Sequence, residues 1–372
     1  MDNKILNSYF LLLFSFIPAS IIVGSAVSLI NILLIDFSFI LLILYKKDYK
    51  FLSNKTVKFI IFLFLYLIFN SIISKDFSMS AHRNFGFIRF GILFLAFNYF
   101  FYNKNFIKKV LIVWILILSF VSLDAYIESI FGKNMFGYGE EYGERIVSFF
   151  KDEPIVGGYI NGFYLIIIGY LFYIDKNISN KYKYIIFILS VFFIIAIILT
   201  GERSNALKAT FGFFLFYFFN DFFKIKQKII SMLLLVFIIG VSISESNYLK
   251  HRYKGQFFDK IKNTIEVKKN IIVTENTIEN TLYFELYKSG FSVFKKYPFF
   301  GVGNKNYRVE TCGATAIKDP TYVCNTHPHQ IYFEFLAEHG LIGSFILFFI
   351  FYFLILSKLK IILSSKNYIQ YG

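Results

Sequence analysis

The sequence has few charged residues: Asp, Glu, Lys and Arg make up 17% of its 372 residues, whereas hydrophobic residues make up 56%. A water-soluble domain of this length needs more charged surface than that, so the composition excludes this class. Apolar runs long enough to cross a bilayer recur along most of the chain. The sequence therefore predicts a polytopic membrane protein.

Two other features are missing. No cleavable signal peptide is expected, because the apolar run at 8–24 is followed by many further apolar runs and is better interpreted as the first span. No nucleic-acid partner is indicated by the net charge of +15. The lysines stand mostly in short clusters between apolar runs, where they set membrane topology.

The apolar runs predict an all-α fold with about ten transmembrane helices, near 8–24, 26–45, 58–74, 86–102, 107–125, 156–174, 184–200, 205–223, 229–246 and 340–357. The positive-inside rule puts the short lysine-rich connections and both termini in the cytoplasm. Helices 1–9 then occupy residues 1–246, and one large periplasmic loop, 247–330, separates the last two predicted spans. Residues 331–372 contain a loop-to-membrane helix, the last span and a cytoplasmic tail.

The only two cysteines, Cys312 and Cys324, both fall in this exported loop. An oxidising compartment favours a disulfide between them, and the short ring that it closes would contribute about 3 kcal/mol to stability. A zinc site that also uses His327 and His329 is a competing interpretation. A third interpretation is that both cysteines are free thiols.

His327 and His329 flank a proline at the start of the last helical segment. A histidine at this position can act as a general base near neutral pH. The alternative interpretation is a pair of interfacial histidines that cap the helix. Glu334 and Glu338 are four residues apart and share one helical face, where they either orient a histidine or complement the helix N-terminus.

Further charged residues lie at or inside the apolar runs. Glu202 and Arg203 stand where one run ends and the next begins, and Arg89 lies within another. Such charges are costly unless they pair or bind a ligand, and a guanidinium suits phosphate. The alternatives are a Glu202–Arg203 pair in an interfacial turn and, for Arg89, snorkelling near the same interface. The residues alone predict an exterior-facing, anion-binding site that contains a base.

Four segments together resemble the O-antigen ligase and O-antigen polymerase superfamily of membrane glycosyltransferases. They are RIVSFFKDEPIVGGYI (145–160), LTGERSNAL (199–207), YPFFGVGNKNYR (297–308) and THPHQIYFEFLAEHGLIG (326–343). Their order, spacing and topology agree with the family from about residue 80 to residue 350. The resemblance implies a GT-C-like helical fold in the inner (cytoplasmic) membrane of a bacterium.

The resemblance also implies an activity. A polyprenyl-diphosphate-linked oligosaccharide in the membrane lipid would be the donor, and no metal or other cofactor would be needed. The acceptor would be lipid A–core for a ligase, or a second lipid-linked glycan for a polymerase, in lipopolysaccharide or other surface polysaccharide synthesis. By position, Arg203 would stabilise the leaving diphosphate, and His329 would be the candidate base or acceptor-orienting group.

The residues expected to contact the substrates are Arg89, Arg308, His327 and Glu202. The chain departs from the family at three positions. Glu202 takes the usual serine position, Gln330 replaces an asparagine, and Tyr283 stands where many relatives have an arginine. Arg252 or Arg308 is expected to substitute for that arginine.

Two alternative functions remain at this point. One is a transporter or flippase of lipid-linked glycans, although a transporter would more naturally carry charged residues near the bilayer midplane and contain inverted repeats. The other is a protein-O-oligosaccharide ligase, which uses the same chemistry with a protein hydroxyl as acceptor.

Overall fold

The computed structural model describes residues 3–47, 53–139, 145–151, 153–174, 180–255, 282–313 and 319–365. Within these ranges the chain is helical and contains no β-strand, which confirms the predicted all-α class. Eight of the described helices are long and apolar enough to cross a membrane. The chain is therefore a multi-pass membrane protein.

Ten long helices overlap the ten predicted spans, and helices of 15 and 6 residues lie in the large loop. Two further short helices, Asn247–Lys250 and Leu359–Ser365, are left unnumbered. In chain order the helices are α1 (Asn3–Val23), α2 (Ser25–Lys46), α3 (Lys55–Ile72), α4 (Phe77–Phe100), α5 (Lys104–Phe131), α6 (Val156–Ile174), α7 (Asn180–Leu199), α8 (Arg203–Phe219), α9 (Ile225–Glu245), α10 (Leu282–Lys296), α11 (Tyr307–Cys312) and α12 (Ile331–Leu354).

Two of the ten long helices, α4 and α8, are not among the eight candidate spans. α8 has only 17 residues, and α4 carries polar residues that include His82, Arg83 and Arg89. Most of the predicted polar start of the large loop, residues 256–281, lies outside the described residues, as does the tail 366–372. The division of the chain at 246 and 330 stays a prediction.

The chain forms two compact units: residues 1–35, 100–261 and 360–372 in the first, and residues 36–99 and 262–359 in the second. In the first unit, α1, α6 and α7 pack around α5. The indole N–H of Trp114 on α5 donates to the backbone carbonyl of Phe14 on α1 at 3.0 Å. This bond satisfies a buried donor and fixes α1 against α5.

In the second unit, α12 breaks at Gly340, whose φ of 62° and ψ of −166° are not helical. An unbroken α-helix would bond each N–H to the carbonyl four residues earlier. The break frees the carbonyls of Ala337 and Glu338 and the N–H groups of Leu341 and Ile342. In a membrane such groups need protein partners, because lipid offers none.

The segment 298–303, between α10 and α11, pairs all four groups with its own backbone. Two of its N–H groups donate to the freed carbonyls, and two of its carbonyls accept from the freed N–H groups. The four bonds are 2.8–3.0 Å long and join Val302 to Ala337, Gly303 to Glu338, Leu341 to Pro298, and Ile342 to Phe299. A loop segment thus completes a broken membrane helix.

Glycine is required where these two backbones approach. A Cβ on Gly301 would lie 2.3 Å from the carbonyl carbon of Glu338, and a Cβ on Gly340 would lie 2.4 Å from that of Phe299. Both glycines also have positive φ, a region that L side chains rarely adopt. The glycine-x-glycine and glycine-x-x-glycine motifs therefore meet at one contact.

Buried Glu310 ties α11 to the turn after α3. Its carboxylate is fully buried and forms ion pairs with Lys75 and, at 2.9 Å, with Lys296; it also accepts a hydrogen bond from the Tyr322 hydroxyl at 3.0 Å. Burial alone would raise the pKa of Glu310, but the hydrogen bonds from these three partners outweigh it and lower the pKa. The carboxylate therefore stays ionised and holds the loop helices in place.

Cys312, the last residue of α11, and Cys324 form a disulfide with their Cα atoms 4.6 Å apart. Each sulfur is bonded to the other, so neither is a thiolate that could ligate zinc. The bond closes the segment directly before the histidines. Residues 314–318 within that segment lie outside the described residues.

We predict that Gly301→Ala will destabilise the protein by about 2–4 kcal/mol, because the added methyl group would push the loop away from the broken helix and strain a positive-φ backbone. Thermal unfolding of the purified protein in detergent measures this effect. Gly240→Ala is the matched control, since a Cβ at this position in α9 meets nothing within 4 Å. Equal melting temperatures for the two variants would contradict the proposed close contact.

Candidate functional site

Arg203 is the first residue of α8 and is exposed. The preceding turn contains Gly201, with φ of +71°, and Glu202. The carboxylate of Glu202 accepts the backbone N–H groups of Gly157 at 2.7 Å and Gly158 at 3.1 Å, at the start of α6. No ion pair joins Glu202 to Arg203, both of which the structure describes. The interfacial-pair alternative is therefore wrong: the carboxylate complements the α6 N-terminus, and Arg203 faces outward.

Residues 247–255 fold back over this turn, although they lie about fifty residues further along the chain. Arg252 donates from Nη2 to the Gly201 carbonyl at 3.3 Å, and the Tyr253 hydroxyl donates to the Ile198 carbonyl at 3.1 Å. Burial raises the pKa of Tyr253, and Arg252 and Arg203 both act on it electrostatically. Arg252, one of the two expected substitutes for the missing family arginine, thus joins Arg203 at the same turn.

A cavity of about 350 Å³ lies beside the turn and is lined by Arg145, Leu199, Ser246 and Tyr248, among others. Two buried polar atoms there, the Nε of Arg145 and the hydroxyl oxygen of Tyr248, have no hydrogen-bond partner among the described residues. Buried polar atoms are normally satisfied. These two are consistent with a bound polar ligand.

We call Arg145, Arg203 and Arg252 the arginine cluster, because each lines this cavity or lies at the turn beside it. Guanidinium groups carry a permanent charge and bind phosphate oxygens in pairs of hydrogen bonds. The N-terminus of α8 adds further anion-binding potential. The arrangement is therefore suited to a diphosphate.

In the second unit, His327 and His329 lie just before α12, with their ring centres 4.2 Å apart. His329 is exposed and has a positive φ of 56°, a strained conformation that is common at functional sites. The helix is capped by Gln330, whose side chain accepts the N–H groups of Tyr332 and Phe333 at 2.7 and 3.0 Å. The alternative in which the histidines cap the helix is therefore wrong. Gln330, which replaces the asparagine of the family, provides the side-chain cap instead.

Arg308 lies on α11 and is exposed, so it is accessible to a substrate. Arg89 lies elsewhere than expected. α4 begins at Phe77 rather than near residue 86, which puts Arg89 near the centre of the helix rather than near its start. Arg89 interacts electrostatically with Asp36, a buried acid near the centre of α2. The diphosphate role of Arg89 stays a prediction.

The second unit also contains a cavity of about 280 Å³ that the sequence did not indicate, lined by apolar residues such as Leu63, Phe87 and Phe335 and by several polar ones. Its charged lining residues are Arg83, Lys305, Glu334 and Glu338, beside Asn304 and His339. Such a mixture of donors and acceptors suits hydroxyl groups, which both donate and accept.

His339, next to the break of α12, is buried and pairs through Nδ1 with the Tyr66 hydroxyl at 3.0 Å. A Cβ on Gly343 would lie 1.7 Å from that hydroxyl oxygen. The small residue therefore makes room for the pair. Among the described residues, no group of three or more His, Cys, Asp or Glu side chains is arranged to hold a metal ion.

Comparison with known families gives one match. The sequence model of the O-antigen ligase family matches residues 188–348, a little under half of the chain. This segment contains the 200–203 turn, the described part of the large loop and the break of α12. The match supports the resemblance to O-antigen ligases and polymerases that the motifs indicated. The corresponding comparisons with curated proteins and with solved structures gave no match.

Proposed function

We propose that the protein transfers a glycan from a polyprenyl diphosphate to an acceptor hydroxyl at the periplasmic face of a bacterial inner membrane. The observation that carries this proposal is the arginine cluster at the α8 turn, within and beside the segment that matches the O-antigen ligase family. A membrane enzyme that cleaves a sugar–diphosphate bond needs fixed positive charge where the leaving group develops. The cluster offers this charge.

In the proposed reaction, the acceptor oxygen attacks the anomeric carbon and the bond from that carbon to the diphosphate oxygen breaks. The bonding electrons leave with the diphosphate, whose growing charge Arg203 and Arg252 stabilise. His329 accepts the hydroxyl proton or orients the acceptor. The arginines supply the positive charge, so the proposed reaction needs no metal ion.

We assign the binding of the acceptor to the second unit. Arg83, Lys305 and Glu334 are among the residues that line its cavity, and such donors and acceptors suit a sugar with several hydroxyl groups. The donor chemistry is the same for a ligase and a polymerase. The two differ in whether the acceptor is lipid A–core or a second lipid-linked glycan.

We predict that Arg203→Ala will lower the rate of glycan transfer by about 10²–10³-fold, because one charged donor to the leaving group is lost. Transfer is measured with purified protein in lipid and a polyprenyl-diphosphate oligosaccharide as donor. Arg203→Lys should retain part of the activity, since it keeps the charge but not the planar fork. Lys208→Ala is the control, an exposed cation on the same helix. Equal activity of the Arg203→Ala and Lys208→Ala variants would contradict the diphosphate role.

We predict that His329→Ala will lower kcat by about 10²–10⁴-fold, the usual contribution of a general base, while donor binding stays unchanged. Steady-state kinetics together with a donor-binding assay separate the two quantities. His82→Ala controls for the loss of an exposed imidazole. A parallel loss of donor affinity and kcat would show that His329 binds the donor rather than acting as the base.

A further inference from the structure

We infer that the cavity of the second unit binds an acceptor sugar that carries an acetamido group, and that His339 recognises the carbonyl of this group. The inference rests on the proposed function and extends it, because it names a chemical class for the acceptor. The cavity is the one that Glu334 and His339 help to line. Its apolar wall and its buried histidine are the two features that point to an acetamido group.

Most of the cavity wall is apolar. Helices α3, α4 and α12 contribute the apolar residues Leu63, Leu67, Phe87, Phe335 and Leu347. The volume of about 280 Å³ is close to the lower limit for small-molecule sites, so the cavity suits one sugar residue rather than an oligosaccharide. A methyl group is stabilised by contact with such a wall, whereas a hydroxyl group is not. A sugar with a methyl-bearing substituent therefore fits better than an unsubstituted one.

One buried polar side chain interrupts this wall. His339 is only 4% exposed, yet it lines the cavity. Phe335, one helical turn earlier on α12, meets its imidazole nearly edge-on, with the ring centres 6.0 Å apart. Nδ1 of His339 is paired with the Tyr66 hydroxyl at 3.0 Å. Nε2 has no hydrogen-bond partner among the described residues, so it is the polar atom that His339 has left for a ligand.

Tyr66 determines which nitrogen of His339 carries the hydrogen. The Asn70 side chain acts on the same Tyr66 hydroxyl. Its Oδ1 already accepts the backbone N–H of Asn304 at 2.9 Å, and one of its amide hydrogens is donated to the Glu338 carbonyl at 3.2 Å. The second amide hydrogen therefore faces the hydroxyl oxygen, which directs the Tyr66 O–H at Nδ1. A neutral imidazole that accepts at Nδ1 carries its hydrogen on Nε2, so His339 offers the cavity an N–H donor.

The backbone on both sides of His339 is fixed before any ligand binds. The residue lies between Glu338, whose carbonyl accepts the N–H of Gly303 at 3.0 Å, and Gly340, where α12 breaks. Leu341, just beyond the break, donates its N–H to the Pro298 carbonyl at 2.8 Å. A donor that is held in place loses little conformational entropy when it binds a ligand.

An acetamido group matches this combination of an apolar wall and one N–H donor. Its carbonyl oxygen accepts from Nε2 of His339, and its methyl group contacts the apolar wall. Its own N–H has the carboxylate of Glu334 as an acceptor in the same cavity. A sugar with a hydroxyl group in its place would leave the wall without a methyl contact. A carboxylate there would place a charge against an apolar wall, which is unfavourable.

Binding is tested with the full protein in lipid nanodiscs and without a donor. The probes are the methyl glycosides of N-acetylglucosamine and N-acetylgalactosamine, each compared with the glucose or galactose glycoside that has a hydroxyl group at the same carbon. Saturation-transfer difference NMR measures their affinities. We expect the acetamido sugar of at least one pair to bind about tenfold more tightly, because it gains one hydrogen bond and one buried methyl group. Its acetyl methyl protons should receive the strongest saturation.

Transfer is then measured with lipid-linked acceptors that end in the same sugars and with a polyprenyl-diphosphate oligosaccharide as donor. The readout is the ratio of kcat/KM for the acetamido acceptor to kcat/KM for the hydroxyl acceptor. His339→Leu should lower this ratio about tenfold, mainly through the KM of the acetamido acceptor. His339→Gln keeps a side-chain N–H donor and should retain part of the ratio. A purely structural loss would slow both acceptors equally and leave the ratio unchanged.

Tyr66 is a positioning residue in this account. Tyr66→Phe removes the hydroxyl that holds the hydrogen on Nε2, so the ratio should fall while donor binding stays the same. Tyr352→Phe is the matched control, because Tyr352 is 53% exposed on α12 and does not line the cavity. It should leave the ratio unchanged.

The other outcomes separate this inference from the proposed function. Glycan transfer with equal use and equal binding of both sugars in each pair would refute the acetamido class and leave the transfer reaction standing. An unchanged ratio in both the His339→Gln and Tyr66→Phe variants would refute the role of His339, even if His339→Leu fails to fold. Preferential binding of an acetamido sugar with no glycan transfer would support the cavity assignment and contradict the proposed reaction.

Discussion

The pairing of a broken membrane helix with a loop segment is the constraint on which the second unit depends. Residues 298–303 occupy the gap that Gly340 opens in α12 and pair the four backbone groups that lipid would leave unsatisfied. This contact fixes the register between loop and helix. The backbone N–H of Tyr307 then donates to the carboxylate of Glu338 at 3.3 Å, which places α11. Backbone hydrogen bonds, together with the Glu338 carboxylate, therefore position the large loop against α12.

The long apolar helices could be predicted because length and hydropathy alone decide whether a segment spans a bilayer. The start of α4 could not, because polar residues occupy its first turns. Tertiary contacts stabilise those turns: the Ser80 hydroxyl donates to the carbonyl of Asn304 at 2.7 Å, and the Asn304 side chain donates to Asn84 at 2.6 Å. These partners lie more than two hundred residues apart, so no local pattern indicates them.

The residues of the candidate site could also be predicted only in part. Arg203 and His329 stand in recognisable motifs, whereas the sequence indicates Arg252 only as a substitute for a missing family arginine. Tyr248 was missed, although Gly201 gave a signal: that glycine leaves room for the Tyr248 hydroxyl, which would lie 2.5 Å from a Cβ. His339 was missed because its role depends on Tyr66, which lies on a distant helix.

The two units carry different polar chemistry. The first concentrates arginines at the α8 turn, and the second combines cations, carboxylates and histidines. Charged groups are costly near a membrane unless they pair or bind a ligand, and the Nε atoms of Arg145 and Arg252 have no hydrogen-bond partner among the described residues. The buried Asp36 near Arg89 is a different kind of feature, an acid and a base near the centres of two helices. Charged residues within apolar helices are also a property of transporters, so transfer and transport must be separated by experiment.

Proteoliposomes containing the full protein and a polyprenyl-diphosphate oligosaccharide make that separation most directly. Glycan products and free polyprenyl diphosphate are measured together with the sidedness of the donor, with and without lipid A–core. The account predicts glycan transfer accompanied by an equal amount of released polyprenyl diphosphate. Movement of intact donor across the bilayer with no bond cleavage would contradict it.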